Sequence, residues 1–331
     1  MAELPEWAGS ERLLSLYQDI QPELLRVEEN LGAIGRETPD FPQELLSHAI
    51  SNRGKRIRPA LTVLSSKFHP NDGEMPVRMA TAVEMLHVAT LVHDDTVDHA
   101  DVRHGMVTLS SLLGENAAVL VGDYLFAMSA TWVCDTYNVR VIRRFAETIM
   151  ELASGQLMER LAARDWRVTR EQYWRRLYNK TASLFLTAAE AGAVLSGASE
   201  EVAQATRTYG RALGMAFQVV DDILDFEGTE EQVGKPVGND LLQGTVTLPA
   251  LMLLERYPND NPITKLFQDV EPDGNLKRAL EMIQSSSIIQ DSYAVAAEFC
   301  QQAREALVPL PNNRCRRALL ELTEYVTERR Y

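Results

Sequence analysis

The sequence predicts an all-α protein, a single large helical bundle, on three observations. Apolar residues recur at three- and four-residue steps along most of the chain, the mark of one buried helix face. Alanine is abundant and β-branched runs are short, which favours helix over strand. Turn-forming residues interrupt the periodic stretches at short intervals, so successive helices should pack as antiparallel neighbours. A chain of 331 residues is long for one domain. With no repeat, low-complexity tract or long linker in it, one domain over residues 1–331 is the simplest division.

The first periodic segment covers residues 11–31, with Leu13, Leu14, Tyr17, Ile20, Leu24 and Leu25 on its apolar side. Thr38-Pro39-Asp40 is a break, and GKRIRP at 54–59 reads as a turn entering the next helix. Asn71-Asp72-Gly73 separates that helix from one at 77–98. Further helices are expected at 117–133, 141–163, 172–195 and 201–225, with breaks at Gly197 and in the 234–238 loop. Tyr257-Pro258-Asn259-Asp260 and Leu310-Pro311-Asn312-Asn313 mark the later turns.

Hydrophobic residues make up 45%, enough for a large core, while the formal net charge of -14 argues against a nucleic-acid binder, which needs a basic surface. Anionic substrates remain compatible where cations are gathered locally. Cys134, Cys300 and Cys315 show no CxxC spacing, which fits a reducing compartment better than a disulfide or zinc framework. The first seven residues are acidic and lack the apolar run of a signal peptide. The apolar stretches at 82–92 and 117–133 are broken by Glu84, His87 and Asp123, and neither has the uninterrupted apolar length of a membrane span. A cytoplasmic protein without stable membrane insertion is expected.

The chemistry lies in two aspartate clusters of DDxxD form. In LVHDDTVDHADVR, Asp94, Asp95 and Asp98 are three and four residues apart, so one helix face can carry all three. Carboxylates that close repel one another and call for a cation, and hard oxygen donors suit Mg²⁺. A solvated acidic face is the plain alternative. The flanking Val83, Leu86, Ala89, Thr90, Val92 and Val97 are too apolar for it and suggest a cleft. In GMAFQVVDDILDFEG the spacing returns at Asp221, Asp222 and Asp225, with Gln218 one turn earlier. If the two helices face each other across a bundle core, the clusters can clamp metal ions around one diphosphate.

With these motifs the chain resembles the polyprenyl synthetase family, the trans-isoprenyl diphosphate synthases, co-linearly over about residues 23–330. The likeness is carried by GKRIRP at 54–59, EMLHVATLVHDDTVD at 84–98, GDYL at 122–125, KTASL at 180–184, FQVVDDILD at 217–225 and GKPVGNDLLQGTVTLP at 234–249. It implies the isoprenoid-synthase helical fold with a central active-site cavity, homodimerisation, isopentenyl diphosphate and allylic prenyl diphosphates as substrates, and three Mg²⁺ ions per site. It assigns metal binding and catalysis to the six aspartates, with Arg103 and Lys180 also catalytic. It further implies that Arg103, Lys180, Thr181, Gln218 and Lys235 hold the allylic diphosphate. Lys55, Arg58, His87 and His104 would hold that of isopentenyl diphosphate. Two positions depart from the family pattern: His104 stands where a second arginine is usual, and Thr245 where a lysine is common. Both changes remove positive charge.

The implied reaction is head-to-tail condensation. The allylic C–O bond ionises, the double bond of isopentenyl diphosphate attacks the cation, and a proton leaves. Product length would be set by an apolar tunnel below the first cluster. Ala89 and Thr90 lie one turn before Asp94, where short-chain members place aromatic rings, so small residues there imply a medium- or long-chain product. Leu86 or Phe145 would form a deeper floor. The alternatives are a class I terpene cyclase, whose second metal motif differs, and a non-catalytic subunit of a hetero-oligomeric synthase, which His104 and Thr245 motivate.

Overall fold

In the computed structural model, residues 11–34, 42–51, 54–103, 105–227 and 237–328 are described. They are almost entirely helical, as the periodicity implies. The single sheet among the described residues is a two-stranded hairpin, β1 (Val102–Arg103) paired antiparallel with β2 (Met106–Val107). The chain forms two compact units, one from residues 1–147, 187–207 and 309–321, the other from 148–186, 208–308 and 322–331.

The first unit contains α1 (Glu11–Tyr17), α2 (Gln21–Ala33), α3 (Gln43–Ser51), α4 (Ile57–Ser66), α5 (Glu74–Val97), α6 (Leu109–Leu113) and α7 (Glu115–Cys134). The helix expected at 77–98 is α5, begun by Gly73 in a left-handed conformation (φ 79°) and capped by Asp98. It is apolar nearly all round and buried nearly all round, the behaviour of a central helix rather than a surface one. Helices α2, α4 and α7 pack on it. Gly192 makes one close approach possible: a Cβ there would come within 2.1 Å of the Thr62 carbonyl oxygen of α4.

Helix α7 is long and apolar enough, by length and composition, to cross a membrane, and 33% of its most apolar window is buried. It packs along α5 and carries Asp123 in its middle. Leu120 on its outer face is 66% exposed, and Leu112 and Leu113 of the preceding α6 are exposed beside it in sequence.

The remaining long helices are α8 (Val139–Leu161), α9 (Arg170–Leu177), α10 (Ser183–Leu195) and α11 (Glu200–Glu227). The segment expected as one helix at 172–195 is interrupted by a π-helical turn, Tyr178–Ala182. A capping box starts α9, with the Thr169 hydroxyl accepting from the Gln172 amide and the Gln172 side chain accepting from the Thr169 amide. The second unit continues with α12 (Asn239–Leu242), α13 (Leu248–Arg256), α14 (Pro262–Phe267), α15 (Pro272–Ser285) and α16 (Ile288–Ala306), and α17 (Arg314–Thr327) ends the chain's described helices.

Candidate functional site

In the first unit, the carboxylates of the first cluster stand at the C-terminal end of α5. Their exposure is graded: Asp95 is buried, Asp94 half-buried and Asp98 exposed. Asp98 donates its amide to the Asp94 carbonyl at 2.8 Å, so the helical spacing that groups the three persists through the cap. The chain then turns into the β1–β2 hairpin, an element the periodicity did not reveal. The hairpin brings Arg103 back to α5, where its Nε donates to Asp95 Oδ1 at 2.5 Å. His48 of α3 bonds the Val107 carbonyl at 2.8 Å and so ties down the other strand. A small cavity between these elements is lined by His48, Val88, Val92, Asp95, Arg103 and Met106. His104 lies outside the described residues.

The GKRIRP turn occupies the same unit. Lys55 is exposed and Arg58 half-buried. Arg56, between them, does something else: its side chain is 2% exposed and lies between Glu28 of α2, at 2.6 Å, and Glu84 of α5, at 2.7 Å. Burial opposes its charge, but Glu84 and Glu28 outweigh that and hold the guanidinium protonated far above its ordinary range. His87 follows Glu84 by one turn. Loss of solvation, then the positive charges of Arg58, Arg103 and Arg56, press its pKa well below the usual value and keep it neutral. Leu86, Ala89 and Phe145 are buried and Thr90 is half-buried, its hydroxyl donating to the His87 carbonyl.

In the second unit, the second cluster is held by a chain of hydrogen bonds. The Thr181 hydroxyl donates to Gln218 Oε1 at 2.6 Å, and Gln218 Nε2 donates to Asp222 Oδ1 at 3.0 Å. Asp222 also accepts from the Tyr173 hydroxyl at 2.6 Å. Two donors let Asp222 sit 4% exposed in the core. Burial and nearby Asp240 nevertheless push its pKa up to about 7, with the Tyr173 and Gln218 bonds pulling the other way. Asp225 is raised to about 7 by the same two causes, although it accepts from the Asp240 amide at 3.1 Å. Asp221, like Asp225, is half-buried.

Lys180, which a helical reading leaves in need of a partner, lies on the π-turn and pairs with Glu159 of α8. Gly155, one turn earlier on α8, lets the backbones meet: a Cβ there would stand 2.7 Å from the Lys180 amide nitrogen. Arg176 of α9 donates to the Val246 carbonyl at 2.6 Å and so anchors the segment that contains Thr245. Lys235 lies outside the described residues.

Thus the first unit assembles Asp94, Asp95 and Arg103, and separately places Arg58 near His87. The second links Thr181, Gln218 and Asp222. Sequence reasoning missed Glu28, Glu84, Glu159, Tyr173 and Asp240. Their one signal was negative: each is a charged or hydroxylated residue inside an apolar helical stretch or beside a motif, and nothing in the spacing names its partner. The donor set fits magnesium, because every group is a hard oxygen. Among the described residues no three His, Cys, Asp or Glu side chains converge enough to hold an ion alone. Mg²⁺ commonly takes one or two carboxylates and completes its shell with water and substrate phosphate, so the two facts agree.

Comparison with known proteins bears on this arrangement. The family model "Polyprenyl synthetase" matches residues 40–283. A prenyl transferase of Synechocystis sp. is 37% identical over 319 residues, covering 95% of this chain and 98% of that one. Among solved structures, a decaprenyl diphosphate synthase from Rhodobacter capsulatus superposes with a TM-score of 0.87 at 33% identity, covering 95% of this chain and 98% of the other. A polyprenyl synthase from Caulobacter crescentus, solved with calcium and isoprenyl diphosphate, gives 0.88 at 32%, covering 96% and 97%.

Tyr173→Phe removes one of the two donors to buried Asp222 and should lower the unfolding free energy by about 1–3 kcal/mol. Urea denaturation measures this, and an unchanged midpoint would mean that Asp222 does not depend on the tyrosine.

Proposed function

The chain belongs to the polyprenyl synthetase family, and from that premise we propose how its residues carry out the reaction. It is a prenyltransferase, a trans-polyprenyl diphosphate synthase that condenses isopentenyl diphosphate with an allylic prenyl diphosphate to a medium- or long-chain product. The observation that carries the residue assignment is the pair of aspartate clusters, each supported by its own polar contacts inside an apolar helix. Neither a terpene cyclase nor a non-catalytic subunit is favoured, since the chain is similar over nearly its full length to a protein named prenyl transferase and to a decaprenyl diphosphate synthase.

Asp94, Asp95, Asp98, Asp221 and Asp225 would hold Mg²⁺, and Asp222, with both oxygens engaged by protein donors, would orient its neighbours. The metal, when bound, supplies positive charge to the leaving diphosphate. The Caulobacter structure, solved with calcium and isoprenyl diphosphate, supports a divalent cation in this role. Arg103 and Lys180 each sit against a carboxylate here and become available to phosphate oxygens by exchanging it. Lys235 is assigned with them on sequence alone. These cations stabilise charge where it develops, as the C–O bond breaks with its electron pair on the diphosphate. Lys55, Arg58 and neutral His87 hold the second diphosphate, while its double bond attacks the allylic carbon. The proton then lost goes to the released pyrophosphate, so no protein nucleophile is needed. With His104 in place of an arginine, Lys55 and Arg58 carry more of the isopentenyl diphosphate charge.

We further propose that the chain works as a homodimer through the α6–α7 face. Its exposed Leu112, Leu113, Val119 and Leu120 support this, as does the packing of α7's other side against α5. Sedimentation should give about twice the 37.1 kDa chain mass. Leu120→Glu should yield monomers, and a wild-type monomer would dismiss the idea.

The decisive experiment incubates the purified chain alone with Mg²⁺, isopentenyl diphosphate and an allylic primer, and sizes products by mass spectrometry. Asp94→Ala or Asp221→Ala should each lower kcat by about 10²-fold or more; near-normal turnover in either would remove its cluster from the mechanism. Ala89→Phe should shorten the product, and an unchanged length distribution would count against a tunnel at this turn of α5.

A further inference from the structure

Arg56 is the middle cation of GKRIRP, and its geometry removes it from the surface that its two neighbours share. It is the one residue of the turn with a left-handed backbone, φ 51° and ψ 31°, a conformation that a bulky residue adopts only when its surroundings hold it there. Three contacts do so. Its Nε bonds Glu28 and its Nη1 bonds Glu84, and its carbonyl accepts from the Ala60 amide at 3.0 Å to start α4. The preceding residue is pinned as well, since the buried hydroxyl of Tyr17 donates to the Lys55 carbonyl at 2.9 Å. With Arg56 turned inward and the Lys55 carbonyl held by Tyr17, the Lys55 side chain stays exposed. Glu84 is one turn from His87 on α5, so the same guanidinium links the turn to the helix that carries the histidine.

We propose that Arg56 is a positioning residue, and that Glu28 and Tyr17 of the two N-terminal helices act through it and the Lys55 backbone to set the isopentenyl diphosphate site formed by Lys55, Arg58 and His87. This rests on the assignment of that turn to isopentenyl diphosphate made above. Glu28 and Tyr17 both precede residue 40, where the match to the family model starts. Through these two polar contacts the N-terminal helices α1 and α2 reach the turn of the substrate site.

A purely structural contact would cost stability and affect both substrates alike. A positioning contact should act on one substrate. Glu28→Gln, Tyr17→Phe and Arg56→Lys are to be assayed with wild type and Lys55→Ala, varying each diphosphate in turn and recording thermal melting. Lys55→Ala sets the reference by raising the KM for isopentenyl diphosphate. Support would be a rise of about three- to tenfold in that KM for Glu28→Gln and Tyr17→Phe, with the allylic KM and kcat within about twofold of wild type. Arg56→Lys, which keeps the charge and loses the fork, should behave in the same way. If Lys55→Ala has its effect while Glu28→Gln and Tyr17→Phe leave the isopentenyl diphosphate KM unchanged, the positioning role is overturned and the site assignment stands. Both KM values moving together with the melting temperature would overturn it also. An unaffected KM in Lys55→Ala would overturn the site assignment itself, and the positioning role with it.

Discussion

A charge inside an apolar helical core is tolerated only when a specific partner meets it, and the functional parts of this protein are arranged around that constraint. Asp222 is the clearest case. An unmet carboxylate at its depth would cost several kcal/mol or take up a proton, and burial does push its pKa up to about 7. The Tyr173 and Gln218 bonds work against that shift and fix the carboxylate on α11. Because Gln218 also accepts from Thr181, the same chain of bonds connects α11 with the π-turn that carries Lys180. Arg56 meets the constraint in the first unit with opposite sign, a buried cation between two carboxylates.

The π-turn at Tyr178–Ala182 shows how local irregularity serves position. A regular α-helix turns each side chain by about 100° from the last, so adjacent residues cannot share a direction. One wider turn alters that phase, and such turns occur often at functional sites. Here the wider turn coincides with the approach of Gly155, where the two backbones come too close for any side chain. Lys180 then reaches Glu159 on the same helix as Gly155.

The overall charge of -14 and the local chemistry reconcile in the same way. Acidic residues dominate the whole chain, yet the first unit sets Arg56, Arg58 and Arg103 close enough to depress the pKa of His87. Local cation density, rather than net charge, decides whether a phosphate is received, because exposed charges beyond about 10 Å are screened by salt.

By itself the sequence determined the all-α class, the long helices at α5, α7, α8 and α11, and both aspartate clusters. Each of these follows from spacing along one helix, which is a local property. Glu28, Glu84, Glu159, Tyr173 and Asp240 were not legible, since each acts on a residue far away in the chain and no periodicity encodes a distant partner. The hairpin that returns Arg103 to Asp95 was also hidden, because two-residue strands are too short to show alternation. GKRIRP shows the division within six residues. The sequence shows three cations at a turn; only the tertiary structure decided that the middle one points inward, because Glu28 and Glu84, brought from two other helices, meet its charge there.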